Sequence, residues 1–402
     1  MSWPMVRFEE LYAEPSRNGV YKQKQFHGLG VRIVNMGELF AYDVIADQEM
    51  KRLAMTETEM ERSGLVDGDL LFGRRSLVEA GAGKCSLVEG LSESTTFESS
   101  IIRVRVDEYL IRPRYVYYWL KSHTGRGAIR SIVTGTNVKG IKGSVLKDVQ
   151  VPCPETVTQD RIIEILRAYD DLIENNRRRI QLLEQAARLL YKEWFVHLRF
   201  PGHEHVAIKD GAPEGWDKKT LGDVCKEIRE SVSPDALEPD TPYIGLEHIP
   251  RRSISLSEWG TAQQVTSSKH RFRKNEILFG KIRPYFHKVG IAFVDGVASS
   301  DAIVIRPRDK AIMPLVLMTV SSDSFVAVTA QTMKEGSKMP RADWKQMQQH
   351  IMLLPPGGLL NTFNDVVEPI VQQLKTLCFN NRQLSIARDL LLPRLMNGKL
   401  VV

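Results

Sequence analysis

Residues 158 to 195 read TQDRIIEILRAYDDLIENNRRRIQLLEQAARLLYKEWF, and the apolar spacing of this stretch decides the fold. Ile162, Leu166, Tyr169, Ile173, Asn176, Ile180, Leu183, Ala187, Leu190 and Trp194 follow one another at gaps of 4, 3, 4, 3, 4, 3, 4, 3 and 4. Only Asn176 among them is fully polar. A heptad seam this long predicts a helix, Thr158 to Phe195, that pairs lengthwise with another. At about 1.5 Å per residue it is a rod of roughly 55–60 Å. The competing reading is a single amphipathic helix on a core, but most globular helices run only about 8–20 residues.

The chain supplies a partner. Phe363, Val367, Ile370, Leu374, Leu377, Asn381, Leu384, Arg388, Leu391 and Leu395 repeat the alternating spacing. Each seam carries an asparagine inside a similar string, Asn175-Asn176-Arg177 and Asn380-Asn381-Arg382. Polar seam residues weaken a coiled coil and fix its register. Arg388 is the weakest point of the second seam, Pro369 is expected to bend that helix, and Pro393 to end it by about Leu392. Thr156 with Gln159 predicts a capping box at the start of the first rod.

The two mixed stretches, one before each rod, repeat each other. Gly68-Asp69-Leu70-Leu71-Phe72-Gly73-Arg74 is answered by Asn275-Glu276-Ile277-Leu278-Phe279-Gly280-Lys281. Glu98 to Arg105 is answered by Ser299 to Arg306, and Gly135 to Lys139 by Gly336 to Pro340. The proline-rich strings Val151 to Pro154 and Leu354 to Gly358 mark the helix starts. The expected organisation is four blocks: 1–155, 156–200, 201–357 and 358–402. The fold class is α+β, with two repeated mixed α/β domains, two long antiparallel coiled-coil helices between them and an internal pseudo-twofold.

The 402 residues hold 43% hydrophobic and 26% charged side chains, ordinary for a globular protein with real cores. No apolar run approaches the roughly 18 residues that span a bilayer, and no signal-peptide layout opens the chain. Cys85, Cys153, Cys225 and Cys378 lie far apart without a CxxC pair, so the chain reads as a reduced cytoplasmic protein. A net charge of +6 permits an acidic partner. The charge is concentrated locally. Between Lys269 and Lys288 seven Lys or Arg face one acid, Glu276, with Phe272, Phe279, Tyr285 and Phe286 interleaved. Between Lys121 and Lys147 six stand without an acid. A pseudo-twofold molecule with basic clusters in both halves suits duplex DNA.

These residues resemble the specificity subunit of Type I restriction–modification systems over nearly the whole chain. The resemblance rests on Leu278 to Val289 followed by Ala298-Ser299-Ser300, on Leu189 to Phe195, and on Arg388 to Leu395. It implies two target-recognition domains, each reading one half of a bipartite asymmetric DNA sequence, spaced by two conserved helical regions. It further implies a non-catalytic subunit that docks two methyltransferase subunits and, through them, restriction subunits. S-adenosylmethionine and ATP with Mg²⁺ are then expected on those partners, and no cofactor on this chain. The first domain departs from the pattern, since Arg74-Arg75-Ser76 stands in place of the string Lys281 to Tyr285.

Enzyme motifs do not compete with this reading. No Asp/Asn-Pro-Pro-Tyr/Phe string for adenine methylation occurs. Gly81-Ala82-Gly83-Lys84-Cys85 lacks the first glycine and the hydroxyl of a P-loop, and His203-Glu204-His205 fits no metal spacing. A catalytic residue, a metal site and a membrane are not expected. The alternative is a protein-interaction scaffold with incidental basic loops.

The candidate DNA contacts follow from chemistry and repeat position. Arg271, Lys281, Arg283, Lys288 and Lys139 are suited to phosphates. Arg283, His287, Lys338 and Arg341 in the second domain, with Arg74, Arg75, Asn137 and Lys142 in the first, carry directional groups that address base edges.

Overall fold

A computed structural model describes residues 3–77, 81–331 and 340–400. The chain forms two compact units, Met1–Asp171 with Leu384–Val402, and Leu172–Gln383. Lys338, a predicted base contact, lies outside the described residues.

The first unit is built on a five-stranded sheet. Its strands are β1 (Tyr12–Asn18), β2 (Val44–Ile45), β3 (Leu70–Gly73), β4 (Cys85–Val88) and β5 (Ile101–Val106), in the order β1-β5-β3-β4-β2. The second unit repeats this with β6 (Cys225–Ile228), β7 (Ser255–Leu256), β8 (Ile277–Gly280), β9 (Val289–Ala292) and β10 (Ala302–Pro307), ordered β6-β10-β8-β9-β7. In both sheets the last pair, β2 with β4 and β7 with β9, is parallel and the other pairs are antiparallel. Register agrees as well: Phe72 faces Ile102, and Phe279 faces Ile303.

The central strands explain why these short apolar runs become strands rather than helices. All four residues of β3 and of β8 are buried. Alternate side chains of a strand point to opposite faces, so each strand feeds two cores. Leu70 and Phe72 join a core with Ile162, Leu166, Leu392 and Leu395, while Leu71 joins Val34, Leu39, Ile45 and Phe97 on the other face. Ile277 and Phe279 likewise pack with Ala187, Trp194, Phe363 and Val367, and Leu278 packs with Ile244 and Phe272.

The long helices are α1 (Thr156–Tyr191, 36 residues) and α2 (Gly357–Met396, 40 residues). At 1.5 Å per residue α1 is about 54 Å long, and a π-helical turn, Lys192–Val196, continues it past Tyr191. Within each unit the helices run antiparallel. In the first, Asp170 meets Arg388 at 2.6 Å. In the second, the Asn176 amide donates to Asn381 Oδ1 at 2.9 Å, and Trp194 packs on Phe363 with ring centroids 5.8 Å apart. Every seam residue named from the sequence is buried or half-buried.

Two local expectations are corrected. Pro393 does not end α2, which continues across it to Met396. A helix-interior proline costs roughly 3 kcal/mol. Leu392, Leu395 and Met396 are all buried, and each contributes about 1.5–3 kcal/mol, enough to hold the last turn. The predicted capping box at Gln159 is also absent, because its side chain works elsewhere. Gln159 accepts from the Arg112 backbone N–H at 2.7 Å and donates to Pro154 O at 2.8 Å, bracing the loop before α1.

Candidate nucleic-acid interface

The predicted contact residues gather where β3 and β8 end. Past Gly73 the chain emerges with Arg74, whose N–H donates to Ser100 O at 2.8 Å and whose carbonyl accepts from Ile141 N at 3.1 Å. Past Gly280 it emerges with Lys281, whose N–H donates to Asp301 O at 2.7 Å and whose carbonyl accepts from Ala342 N at 2.8 Å. The two backbones have the same partners at corresponding positions. A second segment of the chain crosses each rim: Lys139 and Gly140 pair with Ser76 and Arg75, and Arg341 pairs with Ile282. The structure thus brings Arg74, Arg75 and Lys139 together in one unit, and Lys281, Arg283 and Arg341 in the other. Asn137 and Lys142 are exposed on the crossing segment of the first. Arg271 is exposed but stands on the strand Lys269–Phe272 of a different sheet.

Burial sorts these cations. Arg75 and Arg283 are exposed, and among the described residues neither guanidinium has a hydrogen-bond partner or an ion pair. Arg341 is exposed, with Asp301 at 3.4 Å. Lys281 is tied inward, donating to Ser300 O at 2.9 Å. Lys288 donates to Leu246 O. Burial pushes the pKa of both ammonium groups down from the usual lysine value.

His287 is a correction. Its side chain is buried, and Nε2–H donates to Ser321 O at 2.8 Å. Burial holds its pKa below 6.5, the favoured form being the neutral ring. The residue shapes the loop from within and presents no group to a base. Its own carbonyl accepts from Arg252 N at 2.9 Å, and Arg188 on α1 donates to the carbonyls of Ser321 and Arg252 at 3.2 and 3.0 Å. This network fixes a backbone that would otherwise be strained. Arg283 and His287, on either side of the short 3-10 turn Pro284–Phe286, have φ of 49° and 53°, left-handed values that non-glycine residues seldom adopt.

Sequence reasoning missed Arg251 and Glu184. Arg251 stacks on Phe286, its guanidinium carbon 4.0 Å from the ring centroid, while that of Arg283 is at 5.8 Å. Phe286 therefore holds two exposed guanidiniums at one place. The doublet Arg251-Arg252 after Pro250 was the available signal. Glu184, buried on α1, accepts through one oxygen from Ser253 Oγ, Ile254 N, Ser255 N and Ser255 Oγ at 2.6–3.1 Å. It locks the segment that carries Arg251 to the helix, and its place outside the apolar seam gave no hint of this.

Comparison with known proteins places this geometry in a class. Residues 65–185, from the approach to β3 through most of α1, match the family model described as the Type I restriction modification DNA specificity domain. The chain is 25% identical over 308 residues to the Type I restriction enzyme MjaIX specificity subunit of Methanocaldococcus jannaschii, covering 72% of this chain and 69% of that one. It is 24% identical to the EcoDI specificity subunit of Escherichia coli, covering 59% of this chain and 58% of that one. The fold matches the crystal structure of the Type I restriction–modification S subunit from M. genitalium with a TM-score of 0.58 at 14% identity, covering 98% of this chain and 96% of that one. Over residues 65–185 and across most of its length, the chain is thus similar to specificity subunits of Type I restriction–modification systems.

Proposed function

We propose that this chain reads a bipartite, asymmetric DNA target, with domains 1–155 and 201–357 each addressing one half. The observation that carries the reading is the matched rim: Arg74 with exposed Arg75 in one unit, and Lys281 with exposed Arg283 in the other, at the same place on one repeated sheet. Exposed, unpaired guanidiniums exchange counterions for phosphates, or reach guanine edges in a major groove. The chain acts as a non-catalytic subunit. It docks two methyltransferase subunits, which supply S-adenosylmethionine and methylate adenine, and restriction subunits that use ATP and Mg²⁺. Among the described residues no helix is long and apolar enough to cross a membrane.

Co-expression with a methyltransferase subunit, followed by genome-wide mapping of methylated adenine, tests this. A two-part motif with a constant gap is expected. In binding assays on the assembled complex, Arg75→Ala and Arg283→Ala should each lower the slope of log affinity against log salt by about 1. A complex that forms but binds DNA with no salt dependence would turn the reading toward a scaffold.

A further inference from the structure

Ten consecutive residues of the first unit, Tyr21 to Gly30, are exposed except for half-buried Lys22. Tyr21 is 83% exposed and Leu29 79%. The segment is nevertheless pinned. Lys22 Nζ donates to Ala54 O at 2.7 Å and to Glu59 Oε2 at 2.6 Å, and lies 5.2 Å from the Phe26 ring centroid. Phe26 N donates to Gln23 O at 3.0 Å and its carbonyl accepts from Ala54 N at 2.8 Å, closing a 3-10 turn over Lys24–Phe26. With Lys22 turned inward, Gln23, Lys24 and Gln25 are left facing solvent on a fixed backbone. Beyond the turn, Gly28-Leu29-Gly30 loops out of its strand pairing, because His27 and Val31 both stand opposite Leu53. Gly30 (φ 98°) admits no side chain there, since a Cβ would lie 2.4 Å from Leu53 O.

Position and charge point the same way. Val20 bridges Glu98, and Ser99 N donates to Val20 O at 2.9 Å, next to the Ser100 carbonyl that holds Arg74. The segment leaves the sheet from the basic rim itself. From Pro15 through Gly37 the chain has Arg17, Lys22, Lys24 and Arg32 and no acid. The counterpart in the second unit, from Arg229 to Thr241, sets Glu230, Asp235, Glu238 and Asp240 against Arg229 alone. A phosphate backbone is repelled by the second and accepted by the first.

We propose that Tyr21–Gly30 is the base-reading element of the first domain, with Gln23, Lys24 and Gln25 addressing purine edges in the major groove of one half-site. The inference rests on the DNA-reading function above. Gln pairs in bidentate fashion with adenine and Lys with guanine, while Leu29 offers an apolar contact for a thymine methyl. The bulge re-aims Leu29, a common use of strand irregularities. Arg75 holds the phosphate beside it.

The test uses the full chain assembled with its methyltransferase subunits. The triple variant Gln23→Ala, Lys24→Ala, Gln25→Ala alters exposed side chains only and retains Lys22, so an unchanged melting curve is expected. Its methylation map should keep one half-site and the gap, and become degenerate in the other half, losing about tenfold or more discrimination at one or two positions. Both halves retained at unchanged occupancy would overturn the proposal. Loss of methyltransferase co-purification would overturn it too, making the segment a protein-docking surface. Absence of any two-part motif from the unsubstituted complex would defeat the underlying DNA reading, and is distinguished by that control.

Discussion

The sheets that hold β3 and β8 are built alike, whereas the loops that leave them share their first backbone contacts and then diverge. Strand order, pair direction and the register of the inner pairs coincide, and so does an internal ion pair; the edge pair β1–β5 carries two register shifts that β6–β10 lacks. Asp69 accepts from Arg105 Nε at 2.7 Å and from Val66 N at 2.9 Å; Glu276 accepts from Arg306 Nε and from Arg273 N at 2.9 Å. Above β3, Arg74 and Arg75 open a loop that pairs with Lys139 and Gly140. Above β8, Lys281 to Lys288 holds two left-handed residues fixed by His287, Arg252 and Arg188. Core packing constrains volume and register, so duplicated sheets stay alike. Exposed side chains carry little stability, so the rims are free to diverge.

The likeness can be broken most forcefully in the cores. Phe72→Ala and Phe279→Ala each remove a fully buried ring at the same register position, and each should cost about 3–5 kcal/mol. Hydrogen exchange read separately over β3 and β8 should show the loss in the substituted sheet. If one costs less than half the other, the cores are not equivalent.

The ion pairs come next. Asp69→Ala leaves Arg105 without its bidentate partner beside nearly buried Arg103, and about 3 kcal/mol should be lost. Glu276→Ala should cost a similar amount through Arg306. Denaturant midpoints of the two variants decide whether duplication preserved the energetics along with the geometry.

The parts of this architecture that depend on period were legible in the sequence. The 4, 3 spacing found both helices, and internal similarity found the repeat that became β3 with β8. What the sequence hid depends on burial. His287 looks like a base contact among Arg283, Pro284 and Lys288, yet it packs beneath them. Pro393 looks like a stop, and the buried residues beside it carry the helix through. Tyr21–Gly30 has no periodicity at all. Its only trace was the acid-free run from Pro15 to Gly37, which acquires meaning once Lys22 is seen to turn inward and its neighbours outward.

Acid should separate the units. In the second, burial lowers the pKa of His270, His287 and His350 from 6.5. Around His287, Arg188 and Arg252 oppose the imidazolium and Asp323 favours it; around His270, Lys281 and Arg229 oppose and Glu227 favours. As pH falls, the unfolded chain takes up protons first. The stability these rings contribute is therefore complete above about pH 6.5 and is lost below it, toward their folded pKa values. The lowered carboxylates of the first unit, with Asp43 held down by Lys121 and Asp47 by the Ser92 backbone, work in the other range: their contribution persists until pH falls below about 4. Urea unfolding between pH 7 and 5, followed at Trp119 in the first unit and at Trp216 and Trp344 in the second, should show the second weakening alone, and His287→Gln should remove part of the difference.

The smallest effect lies in the seams, where the units use different polar layers. The first unit has Asp170 taking a 2.6 Å ion pair from Arg388 and a 2.7 Å hydrogen bond from Tyr118, while the second has the neutral Asn176–Asn381 pair. Asn176→Leu alone leaves the Asn381 amide facing an apolar side chain and should cost about 1 kcal/mol. Replacing both by Leu removes the unmet demand and adds apolar area, so the pair should be neutral or more stable by up to about 1 kcal/mol, a coupling that a double-mutant cycle reads directly. The loss should appear in register instead, because a uniform apolar seam no longer penalises a shift of one heptad. Cysteines placed at Leu183 and Leu374, which face each other one heptad from the asparagine layer, would report that shift as altered cross-linking. A double variant that is destabilised and keeps its register would mean that the asparagines contribute packing, and the ion pair of the first unit would then be the only layer of the two that sets alignment.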